Sequence, residues 1–483
     1  MVPLCRGSCS GSVRCLLLEL LLFNLGYTSL ESVAVPFERR VVLSLAALYM
    51  FRMLGLFMLL PVLALYGEDY RHASPALLGL ALGAYGFSQA LLQIPFGVLS
   101  DRIGRKPVIL TGLIIFALGS VVAAQADSVY ELIAGRFLQG CGAISAAVMA
   151  LLTDLTSEEN RTKAMATIGA SIGISFSLAL IIGPLLAAWA GIAAIFWLTT
   201  VLAILGIYIL LQLVPATSQQ SVSRRDVGAV PALLGKTLRH PELLRLNLGI
   251  FVLHFVLMAS FMVVPLILEQ QLQISREYMW AVYFPVLGGA FVAMLPFIII
   301  AEKRRKIKPV FLSAIALLGV MELALIAAPP VRMATFVALF FFFMAFNLLE
   351  ATLPSMVSKV APVGAKGTAT GIYSSWQFLG AFCGGSAGGW LLQQYGAVTV
   401  FSVCALLVAI WLVVAWFMTP PRFLASLLIP LQHHDGEQVA QRLRAVDGVV
   451  EVLVIESERV AYLKVDPQRV DRQTLTAIVQ SSG

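Results

Sequence analysis

Apolar residues run along this chain in blocks of roughly twenty, the length a helix needs to cross a bilayer. Twelve such blocks fall at about 41–66, 75–99, 107–126, 129–153, 164–190, 192–214, 246–270, 277–300, 309–328, 331–357, 365–393 and 397–418. The strict alternation that suits barrel strands is absent. Backbone groups in a bilayer core have no water to bond, so the blocks are predicted as helices. Pro61, Pro184, Pro265 and Gly380 lie inside them and mark candidate kinks. Beyond Pro420-Pro421 the pattern changes to shorter, more polar periods.

Composition agrees with burial in lipid. Hydrophobic residues make up 59% of the 483, and charged residues only 12%, about half the share usual in soluble domains. Six Cys, at 5, 9, 15, 141, 383 and 404, show neither metal-ligand spacing nor a disulfide framework. A formal net charge of +7 raises nucleic-acid binding as a reading, but that needs a clustered basic face. The basic residues lie instead in the connections between apolar blocks, and they are unevenly shared. Even-numbered connections carry seventeen Lys and Arg, odd-numbered ones only Arg71, Arg276 and Arg332. The imbalance predicts that the even connections and both termini are cytoplasmic, so the charge is a topology signal and no nucleic-acid partner is expected.

The longest internal connection, 215–245, divides the blocks six and six. Ile94-Pro95-Phe96 to Asp101-Arg102 aligns with Leu295-Pro296-Phe297 to Glu302-Lys303, and Asp154 to Lys163-Ala164 aligns with Lys359 to Thr368-Ala369. Two parallel six-helix halves form a transporter architecture, with a solute site near the midplane between them. The expected organisation is an N-terminal extension 1–36, a six-helix bundle 37–214, a linker 215–245, a second bundle 246–418 and a terminal domain 419–483.

The connection after the second block reads Gly97-Val-Leu-Ser-Asp101-Arg102-Ile-Gly104-Arg105-Lys106-Pro107. It resembles the G-x-L-a-D-r-x-G-r-[KR] signature of the major facilitator superfamily. The resemblance covers residues 41–418. It implies an all-α membrane protein of twelve transmembrane helices in two six-helix repeats, carrying a solute by alternating access. It implies also that this loop latches the halves on the cytoplasmic side, with Asp101 meeting a C-half helix near Gly367 and Arg105 pairing with Asp154. The competing reading is a simple positive tether, for which Gly97, Gly104 and Asp101 would be unnecessary. Arg136-Phe-Leu-Gln139-Gly140-Cys-Gly142-Ala143 resembles the family's R-x-x-q-G-x-g-a element. Gly183-Pro184-Leu-Leu-Ala187-Ala188 resembles the antiporter element G-P-x-x-G-G, with Ala in place of both terminal glycines. Gly140, Gly142, Gly183 and Pro184 are therefore helix-packing candidates.

The same resemblance implies that the first, fourth, seventh and tenth helices line the cavity. Each carries one ionisable residue at depth: Arg52, Arg136, His254 and Glu350. Such residues are costly in a membrane and mark polar pathways. Glu350 is the candidate proton carrier, with His254 as a second titratable group. The competing reading is that Arg52 or Arg136 pairs permanently with Glu350 and braces the halves. Glu322, in the ninth and peripheral helix, ranks lower. Two cations and one acid bias the cavity toward anionic or neutral solutes rather than lipophilic cations.

The last 60 residues read as β-α-β-β-α: strand 424–431, helix 436–446, strands 449–456 and 459–465, helix 471–480, with Val450, Val452 and Val454 facing inward. This small α+β unit resembles the ferredoxin-like metal-binding domains of copper handling, but their Cys-x-x-Cys is missing and His433-His434 stands in that loop; no metal is expected. The domain offers a surface for self-association or regulation. Within the first 35 residues Glu19 interrupts the apolar run, and two readings stand, an upstream mis-assigned start and a real helix. No Walker loop, H-E-x-x-H or G-x-S-x-G occurs, so neither ATP, a cofactor nor an enzymatic site is expected. The function expected is proton-coupled efflux of a small organic solute across an inner membrane. A sensor built on the transporter fold is the alternative.

Overall fold

The computed structural model describes residues 35–215, 237–328, 331–362, 365–420, 425–430, 436–455 and 460–466, with single positions beyond these. The extension 1–34, most of the linker, His433-His434 and, apart from Leu475, the helix expected at 471–480 lie outside the described residues.

Among the described residues, ten stretches are long and apolar enough to cross a bilayer. The helices are α1 (Val35–Phe57), α2 (Pro75–Ile103), α3 (Arg105–Ala124), α4 (Val129–Cys141), α5 (Ser145–Asp154), α6 (Glu158–Gln212), α7 (Pro241–Leu266), α8 (Met279–Lys303), α9 (Ile307–Ala327), α10 (Arg332–Val360), α11 (Lys366–Tyr395) and α12 (Ala397–Trp416). Helix α6 is 55 residues long and divides at Ala190 and Gly191, where Gly191 has φ +75; it holds two spans. Helix α4 and helix α5 together make one, interrupted at Gly142-Ala143-Ile144. Helix α11, with 30 residues, spans about 45 Å at the helical rise. Its seven glycines dilute its apolarity. Each half thus supplies six crossings.

Local chemistry sets the ends. Ser74 caps α2, its Oγ accepting the Leu77 N–H at 3.3 Å, with Pro75 following. Ser128 and Glu131 close a capping box at α4. Gly104 separates α2 from α3 at φ +100, a conformation that a side chain would strain. Of the candidate kinks, Pro265 precedes a π-helical turn at Ile267–Gln271, and Pro61 lies in the turns after α1. Gly380 lies within continuous α11; its role is close packing.

The glycines of α11 face two ways. A Cβ on Gly380, Gly384 or Gly388 would meet Phe251, Phe255 or Ala259 of α7, the last at 2.7 Å from its Cα. On the other face, a Cβ on Gly385 would lie 2.8 Å from the Gly79 carbonyl of α2. From α2, a Cβ on Gly83 would lie 2.7 Å from the Phe382 carbonyl, and one on Gly86 would lie 2.6 Å from that of Phe378. Helix α11 therefore packs backbone to backbone against its own half and across to the other. The crossing contact is tightest at the end opposite the basic loops, where the Ala76 N–H also donates to Gln393 Oε1 at 3.1 Å.

The terminal domain has strands β1 (Ala425–Pro430), β2 (Val449–Ile455) and β3 (Val460–Val465) and helix α13 (Gly436–Arg444). The sheet order is β1-β3-β2, with both pairings antiparallel. Its core joins Ile429, Val439, Leu443, Ala461, Leu463, Val465 and Leu475, with Val449, Val452 and Val454 packed against them. Val450 is 45% exposed, a departure from the expected inward face. A register shift between Val449 and Glu451 inserts an extra residue and turns Val450 outward. Strand β3 is buried on both faces. On the side away from the core, Lys464 Nζ donates to the carbonyls of Lys359 (3.1 Å) and Ala361 (2.6 Å) at the end of α10. An ammonium there meets the negative end of the helix dipole.

Candidate functional site

Arg52 and Arg136 belong to one polar cluster in the N-terminal half. Arg52 donates to Ser145 Oγ at 2.7 Å and to Gln89 Oε1 at 2.6 Å, and Gln89 donates on to Gln93 at 2.8 Å. Arg136 donates to Gln139 Oε1 at 2.9 Å, and Gln139 to Ser120 Oγ at 2.8 Å. Both guanidinium groups lie over the Tyr85 ring, 5.9 and 5.0 Å from its centroid, within reach of a cation–π attraction. Tyr85 in turn touches Phe378 of α11, with centroids 6.2 Å apart.

The other two deep residues meet in the C-terminal half. Gln377 Nε2 lies 2.9 Å from His254 Nε2 and 3.1 Å from Glu350 Oε1. His254 Nδ1 lies 3.3 Å from the Ile250 carbonyl. This network assigns the proton to Nδ1, so that Gln377 gives one amide hydrogen to the imidazole and the other to the carboxylate. Glu350 Oε2 stands 3.9 Å from His254 Nε2 and has no hydrogen-bond partner. The Glu350 side chain is 30% exposed while that of His254 is 7%, although Oε2 of Glu350 is itself buried. Neither arginine pairs with Glu350: among the described residues no carboxylate oxygen lies within the 4.0 Å of an ion pair from either guanidinium. The bracing pair that the sequence also allowed is not formed.

Glu322 is fully buried in α9 and accepts from Ser260 Oγ of α7 at 3.0 Å. It stands apart from the other four.

At the basic loops, Arg105 is buried and ion-paired with Asp101; its Nε lies 3.3 Å from Asp154 Oδ2, and it donates to Ser100 Oγ at 2.7 Å. Lys106 donates to the Val214 carbonyl at 2.6 Å, fastening α3 to the end of α6. Arg102 is exposed. A Cβ on Gly97 would lie 3.4 Å from Ala146. An approach of Asp101 to Gly367 is not among the described contacts; toward this end α2 and α11 meet where Ile94 stands beside Gly371. In the second half, Glu302 is held by Lys359 at 2.7 Å and by Ser355 Oγ at 2.9 Å. Glu302 and Lys359 are the positions aligned with Asp101 and Asp154; the second half pairs them directly, where the first half has two acids on Arg105. Gly140 and Gly142 pack on Tyr85 and on Gly112, and Gly183 on Met58; a Cβ at any of the three would strike backbone. Pro184 lies inside α6.

Sequence reasoning placed Gln139 in a family element without a partner and missed the other neutral members: Gln377, Gln89, Ser145 and Tyr85. Glutamines inside apolar blocks were a readable cue, because an amide in a bilayer needs partners. Which charge each would serve depends on helix packing.

Twelve crossings in two repeats, a paired loop motif and a buried polar cluster in each half define a membrane transporter of the facilitator type. The model of the Major Facilitator Superfamily matches residues 45–385 and 308–433, and that of the YajR YAM domain matches 427–481; the chain belongs to the Major Facilitator Superfamily and is a transporter, not an enzyme. It is 47% identical over 439 residues to the inner membrane transport protein YajR of Escherichia coli, covering 90% of this chain and 96% of that one. A transporter of Buchnera aphidicola is 36% identical, over 72% of this chain and 89% of its own. Among solved structures, the human organic anion transporter MFSD10 superposes with a TM-score of 0.59 at 21% identity, covering 79% of this chain and 100% of that one; this likeness is one of fold.

Proposed function

We propose that this chain is a proton-coupled exporter of a small organic solute, working by alternating access in an inner membrane with its basic loops and both termini in the cytoplasm. One observation carries the coupling: Gln377 joins Glu350 to His254, and Glu350, whose side chain is 30% exposed, keeps one buried oxygen without a hydrogen-bond partner. A carboxylate so placed takes up a proton, and Gln377 and His254 supply the polar setting that its charged form needs. Asp101, held within the N-terminal half by Arg105 beside Asp154, acts as the latch by meeting α11 near Gly367 when the halves close at the basic loops. The name of the 47% identical relative supports the inner-membrane placement.

The test uses inside-out vesicles from cells overproducing the protein, energised to an acid interior and given an extract of the same cells. Mass spectrometry is expected to find a solute accumulating in these vesicles. The accumulation disappears with nigericin and in Glu350→Gln. Equal accumulation in Glu350→Gln, or none in the wild type, refutes the reading.

A second reading is that the terminal domain regulates transport. The seat of Lys464 on the last carbonyls of α10, the helix that carries Glu350, favours it.

A further inference from the structure

Arg52 and Arg136 are 2% and 1% exposed, and every side-chain partner they have is neutral: Ser145, Gln89, Gln139 and the Tyr85 ring. Arg52 Nε, Arg136 Nε, Arg136 Nη2 and the Tyr85 hydroxyl have no hydrogen-bond partner. Two buried charges with three idle N–H groups between them are a costly arrangement, since a removed cation recovers its hydration only through an opposite charge or a full set of hydrogen bonds. Glu350 of the opposite half is engaged with Gln377 and His254. The charge that completes the cluster must therefore come from outside the chain.

We infer that Arg52, Arg136 and Tyr85 form the binding site for the anionic group of the transported solute, a small organic carboxylate or sulfonate. A guanidinium fork matches a planar or tetrahedral oxyanion and donates to two of its oxygens at once. The idle donors supply that fork, and the idle Tyr85 hydroxyl adds a fourth donor beside them. The rings of Tyr85 and Phe378, in contact across the two halves, give the organic body an apolar surface that both halves share. A bound anion then offsets one of the two guanidinium charges of the N-terminal cluster on the outward step, and a proton neutralises Glu350 in the C-terminal half on the return step. Export suits such a cargo, because an interior-negative potential drives an anion outward, by about 2.3 kcal/mol per charge at 100 mV.

This inference names the cargo of the transporter reading and rests on it, but its test needs neither translocation nor a proton gradient. Purified protein in phosphatidylcholine nanodiscs is titrated with benzoate and benzenesulfonate at constant ionic strength, with benzamide and benzyltrimethylammonium as the neutral and cationic counterparts, and thermal stability is followed. Saturable stabilisation by an anion and none by the counterparts is expected. Its apparent affinity should fall tenfold or more in Arg52→Gln and in Arg136→Gln, and hold within twofold in Arg71→Gln, which removes an exposed cation outside the cluster. Arg52→Lys and Arg136→Lys keep the charge and lose the fork, so they should bind with intermediate affinity and provide the comparison where a Gln variant fails to fold. No saturable effect of either anion, equal effects of the cation, or unchanged affinity in the Arg52 and Arg136 variants overturns the inference. So does abolition of the effect by phosphatidylglycerol, which would assign the cluster to a lipid headgroup. Failure of proton coupling in vesicles with anion binding intact would sink the coupling reading alone.

Discussion

Gly83→Ala is the smallest change that should move the balance between the two ends of the transporter. At the end opposite the basic loops, the halves touch through α2 and α11 with almost no side chain between them. An alanine Cβ at position 83 would lie 2.7 Å from the Phe382 carbonyl oxygen and 3.1 Å from the Phe382 Cα. Carbon–oxygen contacts settle at about 3.3 Å or more, so the helices must part by about 0.6 Å. The obstacle is backbone, which cannot rotate away as a side-chain tip would. Overpacking of this kind costs about 1–3 kcal/mol. A conformation opened at this end is relieved of it, so the equilibrium shifts toward that conformation by about 5- to 150-fold, at 1.4 kcal/mol per tenfold. Spin labels at His72 and Gln394, both exposed, in a cysteine-free background should report the shift as growth of a longer-distance population. Gly371→Ala, where the nearest atom is Ile94 at 3.9 Å, serves as the control and should change nothing. An unchanged distance distribution in a well-folded Gly83→Ala protein would refute the claim that this glycine contact holds the end opposite the basic loops shut.

Two further outcomes follow from other contacts. Asp154→Asn removes the charge facing the mostly buried Arg105 while leaving Asp101 beside it. It should therefore cost about 1–3 kcal/mol, below the loss of a lone buried partner, seen as a melting point lowered by several degrees; Asp154→Asn with a wild-type melting point would mean that Asp101 alone satisfies Arg105. Lys464→Met should speed amide hydrogen exchange at the carboxyl end of α10 and in β3 by about tenfold, the worth of one charge-assisted pair of hydrogen bonds. Unchanged exchange there would show that Lys464 does not hold the terminal domain to the bundle.

Much of the fold could be read in the residues. Apolar blocks of bilayer length gave the crossings, and the unequal distribution of Lys and Arg proposed an orientation. The loop motif and two aligned segments pointed to the repeat. Helix α11 was legible as a span only because its block sits in the right place in that repeat; seven glycines remove the hydropathy that usually announces one. The break at Gly142-Ala143-Ile144 was not legible, since all three residues are compatible with a membrane helix. Val450 faced the wrong way because strand alternation assumes a regular register, and the bulge beside Glu451 depends on how β2 pairs with β3.

The sequence by itself determined which residues lie in lipid, where the chain turns, and that four ionisable groups had to be buried: Arg52, Arg136, His254 and Glu350. These follow from the cost of placing a polar group in hydrocarbon, a property of each residue and its near neighbours. Only the tertiary structure decided how those four are partnered. It set the acid and the imidazole on one glutamine, and left two guanidiniums around a tyrosine with idle donors. Pairing depends on which helix faces meet, and those are chosen by contacts far apart in the chain, such as Gly83 against Phe382 and Gly380 against Phe251.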